Sequence, residues 1–221
     1  MKKIAVLIPA YNASETIGGV ISGVMKHVSV ERIFVVDDGS SDRTSYVAEK
    51  HGARVVKHAK NKGKGAALQT GFDIFLESPF DAVITLDADL QHPPQSIPDF
   101  FNLYSSGKFD VIIGSRLHHK KGMPFHRILS NTITTFLVNA RTSLKIHDSQ
   151  SGYRLIDRAV LESVRLHSSG FEAETEFIIR AAERGFRFGS VPIETVYGGE
   201  KSHMTPWVTT MNFVKILFQD Y

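Results

Sequence analysis

Four times in its first 116 residues this sequence runs through a short block of apolar side chains and then breaks on polar ones. The blocks are residues 4–8, 33–36, 82–86 and 111–113, and they lead into Asn12, Asp37-Asp38-Gly39, Asp87 and Gly114-Ser115-Arg116. Strands that are apolar on both faces belong inside a parallel sheet, where helices cover both sides. The intervening segments supply those helices. One starts at a Ser14 cap and runs to about residue 27, with Ile17, Val20, Ile21 and Val24 on one face. Others span 42–50, with Gly52 at the C-cap, then 64–77 and 98–106, and a short strand fits 54–57. Strand and helix in alternation predict an α/β fold with a mostly parallel sheet and helices on both faces. Ligands of such sheets bind at the carboxyl ends of the strands, where these polar residues fall.

Past Arg116 the pattern changes. A polar loop at 118–122 precedes a long amphipathic stretch at 125–143, and further helices are expected at 173–184 and 206–218, with strands at 186–191 and 194–197. No linker rich in Pro, Gly or Ser separates the halves, so the reading is one domain over 1–221. There is no cysteine, which removes disulfides and thiolate chemistry and fits a reducing, cytoplasmic setting. Basic residues outnumber acidic ones by only 26 to 23 and are scattered among them, which argues against nucleic-acid binding. No apolar window reaches the roughly 18 residues of a membrane span. The N-terminal run is short and reads as a strand, not a signal peptide.

The chemistry concentrates in a few places. Asp87-Ala88-Asp89, with Gln91 two residues on, offers hard oxygen ligands suited to Mg²⁺ or Mn²⁺ completed by substrate phosphates. In an extended segment residues i and i+2 point the same way, so both carboxylates would face one point. A lone Asp-x-Asp is ordinarily a solvated turn; its place after a buried strand, in a chain with a second acidic strand end at Asp37-Asp38, raises its weight. Asp38 can accept hydrogen bonds from a base or ribose, whereas Asp42 fits a helix cap. Lys60-Asn61-Lys62-Gly63-Lys64-Gly65 opens a helix and can approach a diphosphate through its amides and lysines, or simply be a solvated loop.

The ordered set Pro9-Ala10-Tyr11-Asn12, Asp37-Asp38-Gly39-Ser40, Asn61-Lys62-Gly63-Lys64-Gly65, Asp87-Ala88-Asp89-Leu90-Gln91-His92-Pro93 and Gly114-Ser115-Arg116 resembles glycosyltransferase family 2, with its GT-A fold. Asp148-Ser149-Gln150-Ser151-Gly152-Tyr153-Arg154 and Val196-Tyr197-Gly198-Gly199-Glu200-Lys201-Ser202 are similar to the dolichyl-phosphate mannosyltransferase branch. The resemblance implies a nucleotide-sugar donor half at 1–117 and an acceptor half at 118–221. It implies donor contacts from Pro9, Tyr11, Asn12, Asp38, Lys64 and Asp87, and a metal site of Asp87, Asp89 and Gln91, with Asp89 counted as catalytic. Arg116, Arg127, Ser130, Arg154 and Lys201 are the implied contacts of a polyprenyl-phosphate acceptor; surface ion pairs for Arg116 and Arg127 and a helix-internal hydroxyl for Ser130 are the plainer alternatives. The sequence departs from the family pattern at Ala13, where relatives often carry Glu, at Thr195, where they often carry Arg, and in the order Lys201-Ser202.

The implied reaction is inverting, metal-dependent transfer of a sugar from a UDP- or GDP-linked donor. A phosphate acceptor is already an anion and needs no strong base. A hydroxyl on a soluble saccharide needs one, and Glu174 in Phe171-Glu172-Ala173-Glu174-Thr175-Glu176 is the candidate, unless these acids merely sit at a helix N-terminus. A nucleotidyltransferase would want a Gly-rich loop ending in Arg after the first strand, which Pro9-Ala10-Tyr11-Asn12-Ala13 is not. A non-catalytic nucleotide-sugar binder is the third alternative, and a homo-oligomer is left open. A lipid-borne acceptor implies a peripheral site on the inner face of the membrane. Two stretches suit that surface or core packing equally: 125–137, flanked by Lys120, Lys121 and Arg127, and 207–218.

Overall fold

The computed structural model describes residues 2–116 and 125–194, excluding the side chains of 125–127. The strands are β1 (Ile4–Ala10), β2 (Ile33–Asp37), β3 (Arg54–Lys57), β4 (Ala82–Thr85), β5 (Val111–Ser115), β6 (Arg154–Asp157) and β7 (Phe188–Pro192). The helices are α1 (Ile17–Val24), α2 (Thr44–Lys50), α3 (Lys64–Leu76), α4 (Ile97–Ser105), α5 (Phe125–Thr142), α6 (Arg158–Ser163) and α7 (Ala173–Glu183). They build one seven-stranded sheet in the order β3-β2-β1-β4-β6-β5-β7. Every pairing is parallel except those of β6, which lies antiparallel between β4 and β5.

The continuous apolar runs are explained by two cores. Along β1, Ile4, Val6 and Ile8 join α1 and α4 on one face through Ile17, Val20, Ile21, Ile97 and Phe100. Ala5 and Leu7 point the other way, to α3, α6 and α7 through Leu68, Phe72, Phe75, Val160 and Phe177. Period-2 alternation thus feeds both layers at once.

Several boundaries move. Thr16, not Ser14, immediately precedes α1, and the Ser14 amide instead donates to Asp42 Oδ2 at 3.0 Å. α2 begins at Thr44, whose amide donates to Asp42 Oδ1 at 2.9 Å. β6 and α6 were not anticipated, since Arg154-Leu155-Ile156-Asp157 is too short and too charged at its ends to stand out. Of the expected strand at 194–197 only Glu194 is described, and it lies beyond β7; the expected helix at 206–218 is outside the described residues.

α5 is turned against the usual rule. Asn131, Thr135 and Val138 face inward and are buried, while Leu129, Ile133, Phe136 and Leu137 are exposed, Phe136 by 68%. Polar partners account for the inward face: Asn131 Nδ2 donates to Asp148 Oδ1 at 2.9 Å, Thr135 Oγ1 lies 3.1 Å from Ser149 Oγ, and Asn139 Nδ2 donates to the Ile146 carbonyl at 2.9 Å. Among the described residues no helix is long and apolar enough to cross a membrane.

Candidate active site

The strand ends bring the polar residues to one edge of the sheet. β6 runs the opposite way, so its first residue, Arg154, also arrives there, in register with Thr85 of β4 and Ile113 of β5. Three clusters form along this edge.

The first joins the loops after β1, β2 and β3. Asn12 has φ +48°, in the left-handed region that Asn tolerates. Its Oδ1 accepts from the Ser41 amide at 3.0 Å, and its own amide donates to Ser40 Oγ at 2.9 Å. Asp38 is buried: Oδ1 faces His58 Nδ1 at 2.7 Å and accepts from the Lys62 amide at 2.9 Å, and Oδ2 accepts from the Gly63 amide at 2.7 Å. Pro9 is half-buried beside this cluster, and the Tyr11 side chain is exposed.

The amides of the basic loop therefore do not wait for a diphosphate. Lys62 and Gly63 donate to Asp38, and the amides of Gly65 and Ala66 donate to the Ser169 carbonyl at 2.7 and 3.3 Å. The expectation of an amide cradle is corrected for these four amides, which are satisfied inside the protein. What the loop delivers is the Lys64 side chain.

Lys64 anchors the second cluster. Its ammonium lies 2.6 Å from Asp87 Oδ1 and 2.8 Å from Glu174 Oε1. Burial pushes the Lys64 pKa down, but the two carboxylates outweigh it and hold it well above the usual lysine range. Burial likewise pushes the Asp87 carboxyl up, and the Lys64 charge, with Arg116 nearby, brings it down to about 2. Glu174, at the start of α7, is 8% exposed. Gly152 makes the convergence possible: a Cβ there would stand 2.7 Å from Glu174 Oε1, 3.0 Å from Lys64 Nζ and 3.1 Å from Asp87 Oδ1.

Asp89 and Gln91 sit beside this cluster, but not on an extended strand. β4 ends at Thr85, Ala88 and Asp89 lie in a turn, and Leu90 has φ +63°. The i, i+2 alternation of an extended strand therefore does not apply to the two aspartates, and Asp89 Oδ1 accepts from the Gln91 amide at 2.9 Å. His92 was overlooked in the sequence. The Asp87 amide donates to His92 Nδ1 at 3.1 Å, so this nitrogen carries a lone pair, and burial lowers the imidazole pKa to about 4. The neutral ring packs 5.2 Å from Tyr153, centroid to centroid, which ties the Asp-x-Asp turn to β6. Its only signal in the sequence was its adjacency to that motif. Among the described residues no group of three or more His, Asp or Glu could by itself hold a metal ion.

The third cluster is Arg116 with Asp148. The guanidinium grips the carboxylate through Nε at 2.8 Å and Nη2 at 3.0 Å, and Asp148 is fully buried. Arg154, expected at the acceptor, is 3% exposed and donates to the carbonyls of Ser151, Glu174 and Ser149. Three of its five donors are thus held by backbone, so in this structure it braces the loop ahead of β6. Ser130 is exposed on α5. The Arg127 side chain and Lys201 lie outside the described residues.

A mostly parallel sheet whose carboxyl edge carries paired acids, a lysine between carboxylates and an arginine clamped on a buried aspartate is the arrangement of a GT-A glycosyltransferase. The family model for glycosyl transferase family 2 matches residues 5–165, and the chain belongs to that family. It is thus an enzyme that transfers a sugar from a nucleotide sugar. It is 29% identical to the UDP-N-acetylglucosamine–dolichyl-phosphate N-acetylglucosaminyltransferase of Methanococcus voltae, over 89% of this chain and 86% of that one. It is 30% identical to the polyprenol monophosphomannose synthase of Mycolicibacterium smegmatis, over 87% and 77%. Among solved structures, glucosyl-3-phosphoglycerate synthase from Mycobacterium tuberculosis, in complex with Mn²⁺, UDP and phosphoglyceric acid, superposes with a TM-score of 0.78 at 23% identity, covering 98% of this chain and 77% of that one.

Proposed function

We propose that the enzyme transfers its sugar, with inversion, from a UDP- or GDP-linked donor to a polyprenyl phosphate of the dolichyl type, working on the membrane surface. The observation that carries this reading is the reversed helix α5. A helix that points Leu129, Ile133, Phe136 and Leu137 outward while burying Asn131 and Thr135 presents an apolar face that suits the headgroup boundary of a bilayer. The names of the two relatives, both lipid-phosphate or polyprenol enzymes, agree.

The enclosed Glu174 supports the same acceptor. Its Oε1 is taken up by the Lys64 ammonium at 2.8 Å and is not turned toward a substrate hydroxyl. A phosphate acceptor needs none, because its oxygen is already anionic and reacts once it is positioned at the anomeric carbon, opposite the leaving diphosphate. Arg116 contributes positive charge where such a phosphate would approach, its orientation set by Asp148. Pro9, Tyr11, Asn12 and Asp38 frame the nucleoside side of the edge, and Lys64 stands beside the diphosphate. Asp89 with Asp87 and Gln91 would hold Mg²⁺ or Mn²⁺, with the donor's phosphates completing the oxygen ligands. When bound, the ion neutralises charge on the leaving diphosphate.

The test is transfer of label from UDP- and GDP-linked sugars, with Mn²⁺, to vesicles carrying dolichyl phosphate. Label extracted with the lipid is expected. Label moved only to a soluble saccharide overturns the lipid acceptor and returns Glu174 to the role of base.

A further inference from the structure

We infer that His58 is a positioning residue for the donor: through Asp38 it fixes the loop at 60–63 that borders the nucleotide pocket. The inference rests on the donor reading given above and adds a residue to it.

His58 directly follows β3, and its amide donates to the Asp37 carbonyl at 2.9 Å. Both ring nitrogens are engaged. Nδ1 lies 2.7 Å from Asp38 Oδ1, and Nε2 lies 3.0 Å from Thr70 Oγ1 on α3. The His58 and Asp38 side chains are almost completely enclosed, at 5% and 4% exposure. A ring held at both nitrogens and shut away from solvent is not free to ligate a metal or take a substrate proton. What it does is aim the carboxylate. Nδ1–H and two loop amides then occupy three of the roughly four acceptor positions a carboxylate offers.

The loop also packs tightly on the strand end after β2. Gly39, with φ +73°, lies so close beneath it that a Cβ there would be 2.4 Å from the Lys60 carbonyl carbon. If His58 no longer orients Asp38, the carboxylate can turn, and the Lys62 and Gly63 amides lose their shared acceptor. Lys64 would be little disturbed, because the first turn of α3 is anchored separately by the Ser169 carbonyl. The effect is therefore confined to donor affinity, with turnover at saturating donor preserved.

The experiment is calorimetric titration of the full chain with UDP and with GDP, each with Mn²⁺, alongside steady-state kinetics. His58→Phe keeps a ring but removes both hydrogen bonds, and should weaken the nucleotide that the wild type binds by about tenfold or more. His58→Asn retains an N–H directed at Asp38 and should stay within about threefold of the wild type, and kcat should change by less than about threefold in both. Thr70→Val, which releases only the far side of the ring, should weaken binding by less and in the same direction; it carries the test should His58→Phe fail to fold. Unchanged affinity in folded His58→Phe or in Thr70→Val overturns the inference, as does a kcat loss equal to the loss in affinity. A wild type that binds neither nucleotide overturns the donor reading itself, a result distinct from either.

Discussion

Arg116 and Asp148 are locked by three hydrogen bonds, from the Arg116 amide at 3.2 Å, Nε at 2.8 Å and Nη2 at 3.0 Å. The same carboxylate accepts from Asn131 of α5 and from the Gln150 amide. Burial pushes the Asp148 carboxyl up, and the Arg116 charge with these hydrogen bonds outweighs it, leaving the pKa below the usual value. A carboxyl whose pKa is lowered by folding stabilises the fold fully above its unfolded value of about 3.9 and loses that contribution as pH falls through it. Asp148→Asn should therefore cost about 3 kcal/mol or more at pH 7, by leaving Arg116 without its counter-charge, and should flatten the decline of stability below about pH 4. Urea midpoints measured at both pH values check this.

Lys64→Met removes the only charge that separates Asp87 from Glu174 in the second cluster. The Asp87 carboxyl, held at about 2 by that ammonium, should rise, and the acid limb of the activity profile should shift toward neutral pH. Turnover should fall by about 10²-fold. A pH–rate profile of the variant against the wild type decides it; an unmoved acid limb would dissociate Asp87 from catalysis.

Gly152→Ala tests geometry without altering charge. The added methyl would crowd Glu174, Lys64 and Asp87, all at the flexible tips of their side chains, so the fold should survive while the cluster is spread. A displacement of this kind should lower kcat by about 10²-fold with little change in thermal midpoint. An active variant would show that these three groups need not converge.

Phe136→Glu places a charge at the most exposed apolar position among the described side chains of α5. As a surface change it should alter stability by no more than about 0.5 kcal/mol. Flotation with anionic vesicles and transfer to vesicle-borne dolichyl phosphate should both drop, while nucleotide binding should not. Equal flotation of variant and wild type would detach α5 from the membrane.

Asp89→Ala should abolish metal-stimulated transfer and leave the fold intact, since the residue lies in a partly exposed turn after β4. Mn²⁺-dependent nucleotide affinity, read by calorimetry, should fall with it. A variant that turns over normally without added metal would remove the ion from this site.

Much of the fold was legible because buried parallel strands need continuous apolar runs, and β1, β2, β4 and β5 have them. β6 was not, since its pairing with β4 and β5 is a long-range choice that four residues do not announce. The reversal of α5 was equally hidden: its apolar spacing is that of an ordinary core helix, and only the polar sockets of Asp148, Ser149 and Ile146 turn it over. In the candidate site, the motifs singled out Asp38, Lys64, Asp87 and Glu174. Their partners were not, because His58, Gly152 and the Ser169 carbonyl act through contacts that no spacing encodes.

The placement of β6 also bears on how enzymes of this architecture can diversify. A strand from the later part of the chain fills the slot between β4 and β5, so the earlier part alone would leave both edges open. A recombination event near residue 117 would exchange not just a tail but an interior plank of the sheet, together with Arg154 and the Gly152 gap at its head. Trading acceptor preference by splicing is thereby penalised. On the proposed lipid-acceptor reading, point changes along α5 and length changes in the loops at the sheet's edge would alter the acceptor while leaving that plank in place.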